Sequence, residues 1–318
     1  MTFGERFEAK CGNVRYPVCV GLDPRLGEIP EVVREGALAT SGSRGEALRR
    51  TIARFHELVI SAVADIVPAV KLQLAFYEQY GIAGLLALQD TIAAARRAGL
   101  LVIADGKRND IPSTAEAYAR AFLGQTDVFG EPLSAFEADA LTVNPYLGWD
   151  SLVPFAETAR DHDKGLFVLV RTSNPSSHDL QEAVVGDEPV FLRVSRFVSA
   201  LREEFFSSEA FSSVGAIVGC TFPEAAGAIR RAIPRSPIVV VGYGAQAGTI
   251  AGCVASFTDR GDSAIVNASR SLTYAFSGEP VSEDEVAATI RAATGRMGDS
   301  LARALAERQT APQLSATH

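Results

Sequence analysis

Cysteine is scarce in this 318-residue chain, and its four copies, Cys11, Cys19, Cys220 and Cys253, stand far apart with no CxxC pair. That spacing argues against a zinc site and suggests no disulfide framework, so reduced, mostly buried thiols are expected. Histidine is equally sparse. His56, His162, His178 and His318 sit in no ligand or nucleophile motif, which argues against zinc hydrolase and serine hydrolase chemistry. No apolar run approaches the length of a membrane span, and the opening MTFGERFEAK carries charge where a secretory signal needs an apolar centre. A cytoplasmic protein without membrane contact is expected. Positive charge is not in excess: 30 Lys and Arg face 38 Asp and Glu, a formal net charge of −8 that offers no basic footprint for nucleic acid. An anionic ligand must therefore find a local positive site.

What the chain does have is apolar residues, 47% of the total, in short runs separated by helical stretches. Eight runs read as buried parallel strands: 18–22, 68–73, 100–105, 140–144, 166–171, 215–220, 237–242 and 263–269. Between them, segments such as 46–67, 82–98, 149–161, 191–206, 223–233 and 283–296 have helical spacing. Eight strands with intervening helices predict a single-domain α/β fold, the (β/α)8 TIM barrel, over residues 1–309, with 310–318 as a disordered tail. An open doubly wound sheet is the rival, but no GxGxxG follows the first strand. Segments 124–138 and 178–189 read as insertions, either of which could serve as a lid.

Polar residues gather at the strand ends, the rim where such barrels assemble active sites. The strand at 101–104 runs straight into Asp105, Lys107 and Asp110. Residues two apart on a strand share a face, so Asp105 and Lys107 are expected side by side, with Asp110 rejoining them or reaching a neighbouring subunit. Lys71, which also emerges from a strand, completes an array of two cations and two anions that can hold one another ionised without a metal. A solvated charge cluster is the plainer alternative, and Arg108 fits that description, pointing away to a structural salt bridge. A second constellation joins the turn GYGAQ, with Gly242, Gly244 and Gln246, to Ser269 and Arg270 one strand later. Loops after the seventh and eighth strands, with an arginine clamp, suit a phosphate. A third, Thr172, Ser173 and Asn174, could read the edge of a heterocycle or form an ordinary turn. Asn144, in TVNPYLG, either contacts ligand or braces neighbouring charges.

Taken together, GLDP at 21–24, AVKLQ around Lys71, the D-x-K-x-x-D set of 105–110 followed by Thr114, TVNPYLG, TSNPSS, GYGAQ and the final SRS resemble the orotidine 5'-phosphate decarboxylase family, in particular its longer bacterial group. The resemblance implies decarboxylation of orotidine 5'-monophosphate to UMP, without cofactor or metal, by a homodimer with shared sites. Asp105 and Lys107 would come from one subunit, and Asp110 and Thr114 from the other. Asp23 and Lys71 would hold the ribose hydroxyls, Ser173 the pyrimidine, and Gln246 and Arg270 the phosphate. Asn109, Val241 and Ala247 depart from the family pattern and bear on loop geometry. Three other readings keep the same residues: a metal-dependent phosphosugar decarboxylase or aldolase, a Schiff-base aldolase using Lys71 or Lys107, and a catalytically inactive phosphate-ligand sensor.

Overall fold

A computed structural model describes residues 1–244 and 248–310. Its eight parallel strands are β1 (Val18–Gly21), β2 (Ala69–Gln73), β3 (Leu101–Arg108), β4 (Ala140–Val143), β5 (Gly165–Arg171), β6 (Val214–Gly219), β7 (Ile238–Val241) and β8 (Ala264–Ala268). Each pairs with its chain neighbours, and β1 pairs with β8, so the sheet closes into a barrel. All eight expected runs became strands of the barrel.

Helices return the chain between strands, among them Arg44–Val63, Gly81–Arg97, Pro112–Phe122, Val190–Phe205 and Glu283–Thr310. The last runs fourteen residues beyond its expected end at 296, because Met297, Leu301 and Leu305 continue its buried stripe. It includes Thr310; the remainder of the expected tail lies outside the described residues.

Strand alternation divides the core in two. One set of side chains fills the space between sheet and helices, while Cys19, Ala69, Leu101, Ile103, Ala140, Phe167, Ile217, Val239 and Ile265 form a separate inner cluster. The N-terminal helix Phe3–Asn13 joins that cluster through Phe3 and Phe7, Phe3 meeting Phe167 edge-on at 6.0 Å. Gly165 makes the approach possible, since a Cβ there would lie 2.3 Å from the Phe3 ring. The bottom of the barrel is thus plugged with apolar groups, and the inner positions one step further along β2, β3, β4 and β8 carry polar ones. Three of the four cysteines are buried and all four are free thiols.

The two insertions differ in place. Segment 124–138 holds a small hairpin, Thr126–Val128 with Glu131–Leu133, and is followed by Asp139, whose amide bonds to the carbonyl of Val102 near the start of β3. It lies at the N-terminal end of the barrel, so the expectation of a lid there is corrected. Segment 178–189, with the ladder Val184–Val185 to Glu188–Pro189, follows β5 at the opposite end.

Candidate active site

One step above the inner apolar cluster, Lys71 follows Ala69 on β2, Asp105 follows Ile103 on β3, Thr142 follows Ala140 on β4 and Asn267 follows Ile265 on β8. Period-two alternation makes all four project into the mouth of the barrel. Asp105 is the hub. Its Oδ2 accepts from Lys71 Nζ at 2.6 Å and from Gln73 Nε2 at 3.1 Å, and its Oδ1 accepts from Lys107 Nζ at 2.7 Å and Thr142 Oγ1 at 2.9 Å. Thr142 in turn accepts from the backbone N–H of Lys107 at 2.9 Å.

Lys71 and Asp105 each expose only 5% of their side chains, whereas Lys107 exposes 36%. Burial alone pushes the Asp105 carboxyl up, but the charges of Lys71 and Lys107 outweigh it and hold the group well below the usual carboxylate range. Burial likewise lowers Lys71, and the attraction of Asp105 and Asp23 reverses the sign, holding it above the ordinary lysine value. Lys71 and Asp105 are therefore both ionised at neutral pH. Lys107 sits at φ +46°, a left-handed conformation that L residues rarely adopt and that costs about 1–2 kcal/mol.

These groups line a cavity of about 280 Å³ together with Asp23, Thr172, Ser173, Asn174, Val241, Asn267 and Ser269. Ser173 is brought in by close backbone approach to β6: a Cβ on Gly219 would lie 2.8 Å from the Ser173 amide nitrogen. A second hollow of about 610 Å³ shares Asp23, Asn267 and Ser269 with the first and adds Arg25, Gly242, Gly244, Arg270 and Tyr274. Gly242 and Gly244 have φ of +91° and +75°, so the turn after β7 requires the left-handed region at both. Arg270 is exposed and has no ion-pair partner among the described residues, which leaves its guanidinium available to an anion. Gln246 and Ala247 lie outside the described residues.

Most of the expected residues converge on this pair of hollows, but three do not. Asp110 uses Oδ1 to accept from the amide of Ile111 at 2.8 Å, and neither it nor Thr114 lines either cavity of its own chain. Asn144 begins the loop after β4, where its Oδ1 accepts from the amide of Tyr146 at 3.1 Å, a local turn rather than a brace for the charges. Thr142, two residues earlier, performs that bracing. Arg108 does point away, pairing with Glu78 and lying 5.2 Å from the Tyr118 ring centroid. Gln73, Thr142 and Asn267 escaped the reading of the sequence, although a polar residue at an inward position of an apolar strand was the available signal for the last two.

Beneath Asp23, Tyr77 donates to the carbonyl of Leu22 at 2.9 Å and lies 3.1 Å from Nδ1 of His56. Burial pushes His56 down to about 3, so it is a neutral structural histidine. Among the described residues, no group of three or more His, Cys, Asp and Glu side chains is placed to hold a metal ion.

Residues 16–284 match the Orotidine 5'-phosphate decarboxylase / HUMPS family. The chain is 40% identical over 305 residues to the orotidine 5'-phosphate decarboxylase of Rhodopirellula baltica, covering 95% of this chain and 99% of that protein. To the protein of the same description from Caldicellulosiruptor bescii it is 38% identical over 276 residues, covering 87% and 90%. Among solved structures, Leishmania donovani OMP decarboxylase superposes with a TM-score of 0.73 at 28% identity, covering 96% of this chain and 99% of that one.

Proposed function

The chain belongs to the orotidine 5'-phosphate decarboxylase family, and on that premise we propose that it converts orotidine 5'-monophosphate to UMP and CO2 in pyrimidine biosynthesis through the site just described. The observation that carries this reading is the single carboxylate of Asp105 held between two ammonium groups at the floor of a cavity that opens onto a phosphate-type loop.

Breaking the bond from C6 to the carboxylate carbon leaves the electron pair on C6, and the pyrimidine offers no electron sink of the kind that thiamine or pyridoxal provides. Stabilisation must come from charge already in place. Lys107, the most accessible of the three charged groups, is positioned to face the nascent carbanion and to hand it the proton that replaces the carboxylate. Bulk solvent then reprotonates the lysine. Asp105 aims Lys107, and Lys71 keeps Asp105 ionised, so the array does not collapse when Lys107 gives up its proton. In this assignment Asp23 and Lys71 hold the ribose hydroxyls, Ser173 meets the pyrimidine, and Arg270, Gly244 and Gln246 receive the phosphate. Neither a cofactor nor a metal takes part.

Asp110 and Thr114 are assigned to the site of a second copy of the chain, in a cytoplasmic homodimer. Supporting this, they stand clear of the cavities of their own chain, and the neighbouring rim residues Ile111 and Tyr146 are 58% and 75% exposed. Such apolar groups at one edge suit an interface. The test is an ultraviolet assay of orotidine 5'-monophosphate turnover in the presence of a chelator. Undiminished conversion to UMP supports the reading, and chelator-sensitive activity on a sugar phosphate with none on the nucleotide overturns it.

A further inference from the structure

The loop Thr172–Asn174 is held in the cavity by residues that do not themselves line it. On β5, Phe167 and Leu169 belong to the inner cluster, so simple alternation would send Arg171 inward as well. A register shift intervenes: Ile217 pairs with Leu169 and the next residue, Val218, pairs with Arg171. This bulge turns Arg171 out of the barrel mouth, where it is completely buried with its guanidinium 4.0 Å from the ring centroid of Phe222. Its Nη2 pairs with Glu182 at 2.6 Å and its Nη1 donates to Gln181 Oε1 at 3.0 Å.

Gln181 is then fixed for a two-pronged hold on Thr172. Its Oε1 accepts from the Thr172 amide at 2.8 Å, and its Nε2 donates to Thr172 Oγ1 at 2.8 Å. With that oxygen occupied as acceptor, the Thr172 hydroxyl donates to Asn174 Oδ1 at 2.6 Å, orienting the amide of a residue that lines the cavity. The chain of contacts runs from Arg171 through Gln181 and Thr172 to Asn174.

We infer that Gln181, anchored by Arg171, is a positioning residue for recognition of the base, acting through Thr172 and Asn174 and not on the phosphate. This rests on the function proposed above. In that assignment the phosphate loop lies after β7 and β8, so the two halves of the substrate can be probed separately.

The experiment compares inhibition by UMP with inhibition by ribose 5-phosphate in the wild type, Gln181→Ala and Gln181→Glu. Gln181→Ala is expected to weaken UMP by about tenfold and raise KM for orotidine 5'-monophosphate similarly, with ribose 5-phosphate changed less than about twofold. Gln181→Glu retains the acceptor for the Thr172 amide and for Arg171, and is expected to recover part of the UMP affinity. Equal losses for both ligands, or no loss for UMP, would overturn the inference. Should Gln181→Ala fail to fold, the Gln181→Glu comparison decides alone: UMP weakened more than ribose 5-phosphate supports the inference, and equal effects refute it. A wild-type protein without decarboxylase activity refutes instead the function on which it rests.

Discussion

The ammonium of Lys107 rests 2.7 Å from the carboxylate of Asp105, two residues earlier on the same strand, and it does so on backbone with φ +46°. Regular strand geometry would carry Lys107 onward along the barrel wall. The left-handed turn keeps it at the cavity, and the Thr142 hydroxyl holds that turn by accepting from the Lys107 amide while donating to Asp105.

Thr142 is therefore a structural support of the Lys107–Asp105 ion pair. Thr142→Val keeps the shape but removes both hydrogen bonds, one of them to a charged acceptor, a loss worth about 1–3 kcal/mol. The expected result is a tenfold or greater fall in kcat, roughly, with a smaller change in KM, measured by steady-state kinetics. Unchanged kcat would show that Lys107 holds its place without this support.

The ion pair between Asp105 and Lys71 gives a pH signature. Asp105 is depressed, so its contribution to stability is complete above the ordinary aspartate value of about 4 and is lost as the pH falls through its lower folded-state value. Lys71 is raised, so its contribution is complete below the ordinary lysine value of about 10 and is lost as the pH rises through its higher one. The difference in Tm between wild type and Asp105→Asn is expected to stay constant from about pH 5 to 9 and to shift below about pH 4, as Asp105 is protonated, and above about pH 10, as Lys71 loses its proton. A change in that difference near neutrality would mean that Asp105 titrates there.

Arg270 lies in the hollow adjoining the one that holds Lys107, yet its loss is expected to reach the chemistry. Around 20 kcal/mol of barrier reduction is more than one lysine can supply, so binding energy from the remote phosphate must help exclude water and align the base. Arg270→Ala is expected to lower kcat as well as raise KM, and phosphate-free orotidine to be a very poor substrate. A rise in KM with kcat intact would contradict the coupling.

Subunit mixing tests whether Asp110 completes its partner's site. Lys107→Ala and Asp110→Ala proteins, each expected to be nearly inactive, are mixed under conditions that exchange subunits. In the proposed homodimer half the random dimers then carry one intact composite site, so activity is expected to recover to about one quarter of wild type. No recovery despite demonstrated exchange would place Asp110 with its own chain.

The barrel was legible because its strands are buried on both faces and so appear as bare apolar runs, with polar residues massed at one end of each. Lys71, Asp105 and Lys107 could be placed for the same reason, since a charge leaving such a strand has few places to go. Asn144 was ambiguous: side chains of its type bond their own turn as readily as a ligand, and here its Oδ1 accepts from the Tyr146 amide. Arg171 defeated the alternation rule because a one-residue shift against β6 reverses its direction, and such a shift leaves no mark in composition or spacing. The N-terminal plug was equally hidden, since Phe3 and Phe7 find Phe167 only after the barrel has closed.

The central claim is that Lys107 stabilises and then protonates the C6 carbanion. It is tested most directly by single-turnover conversion of orotidine 5'-monophosphate, followed in the ultraviolet, in wild type and Lys107→Ala, with UMP affinity measured alongside. The expected result is a rate loss of at least about 10⁴-fold, the combined scale of a lost proton donor and a lost charge, while UMP still binds. Turnover within about tenfold of wild type in Lys107→Ala would contradict the claim and move the chemistry to another group.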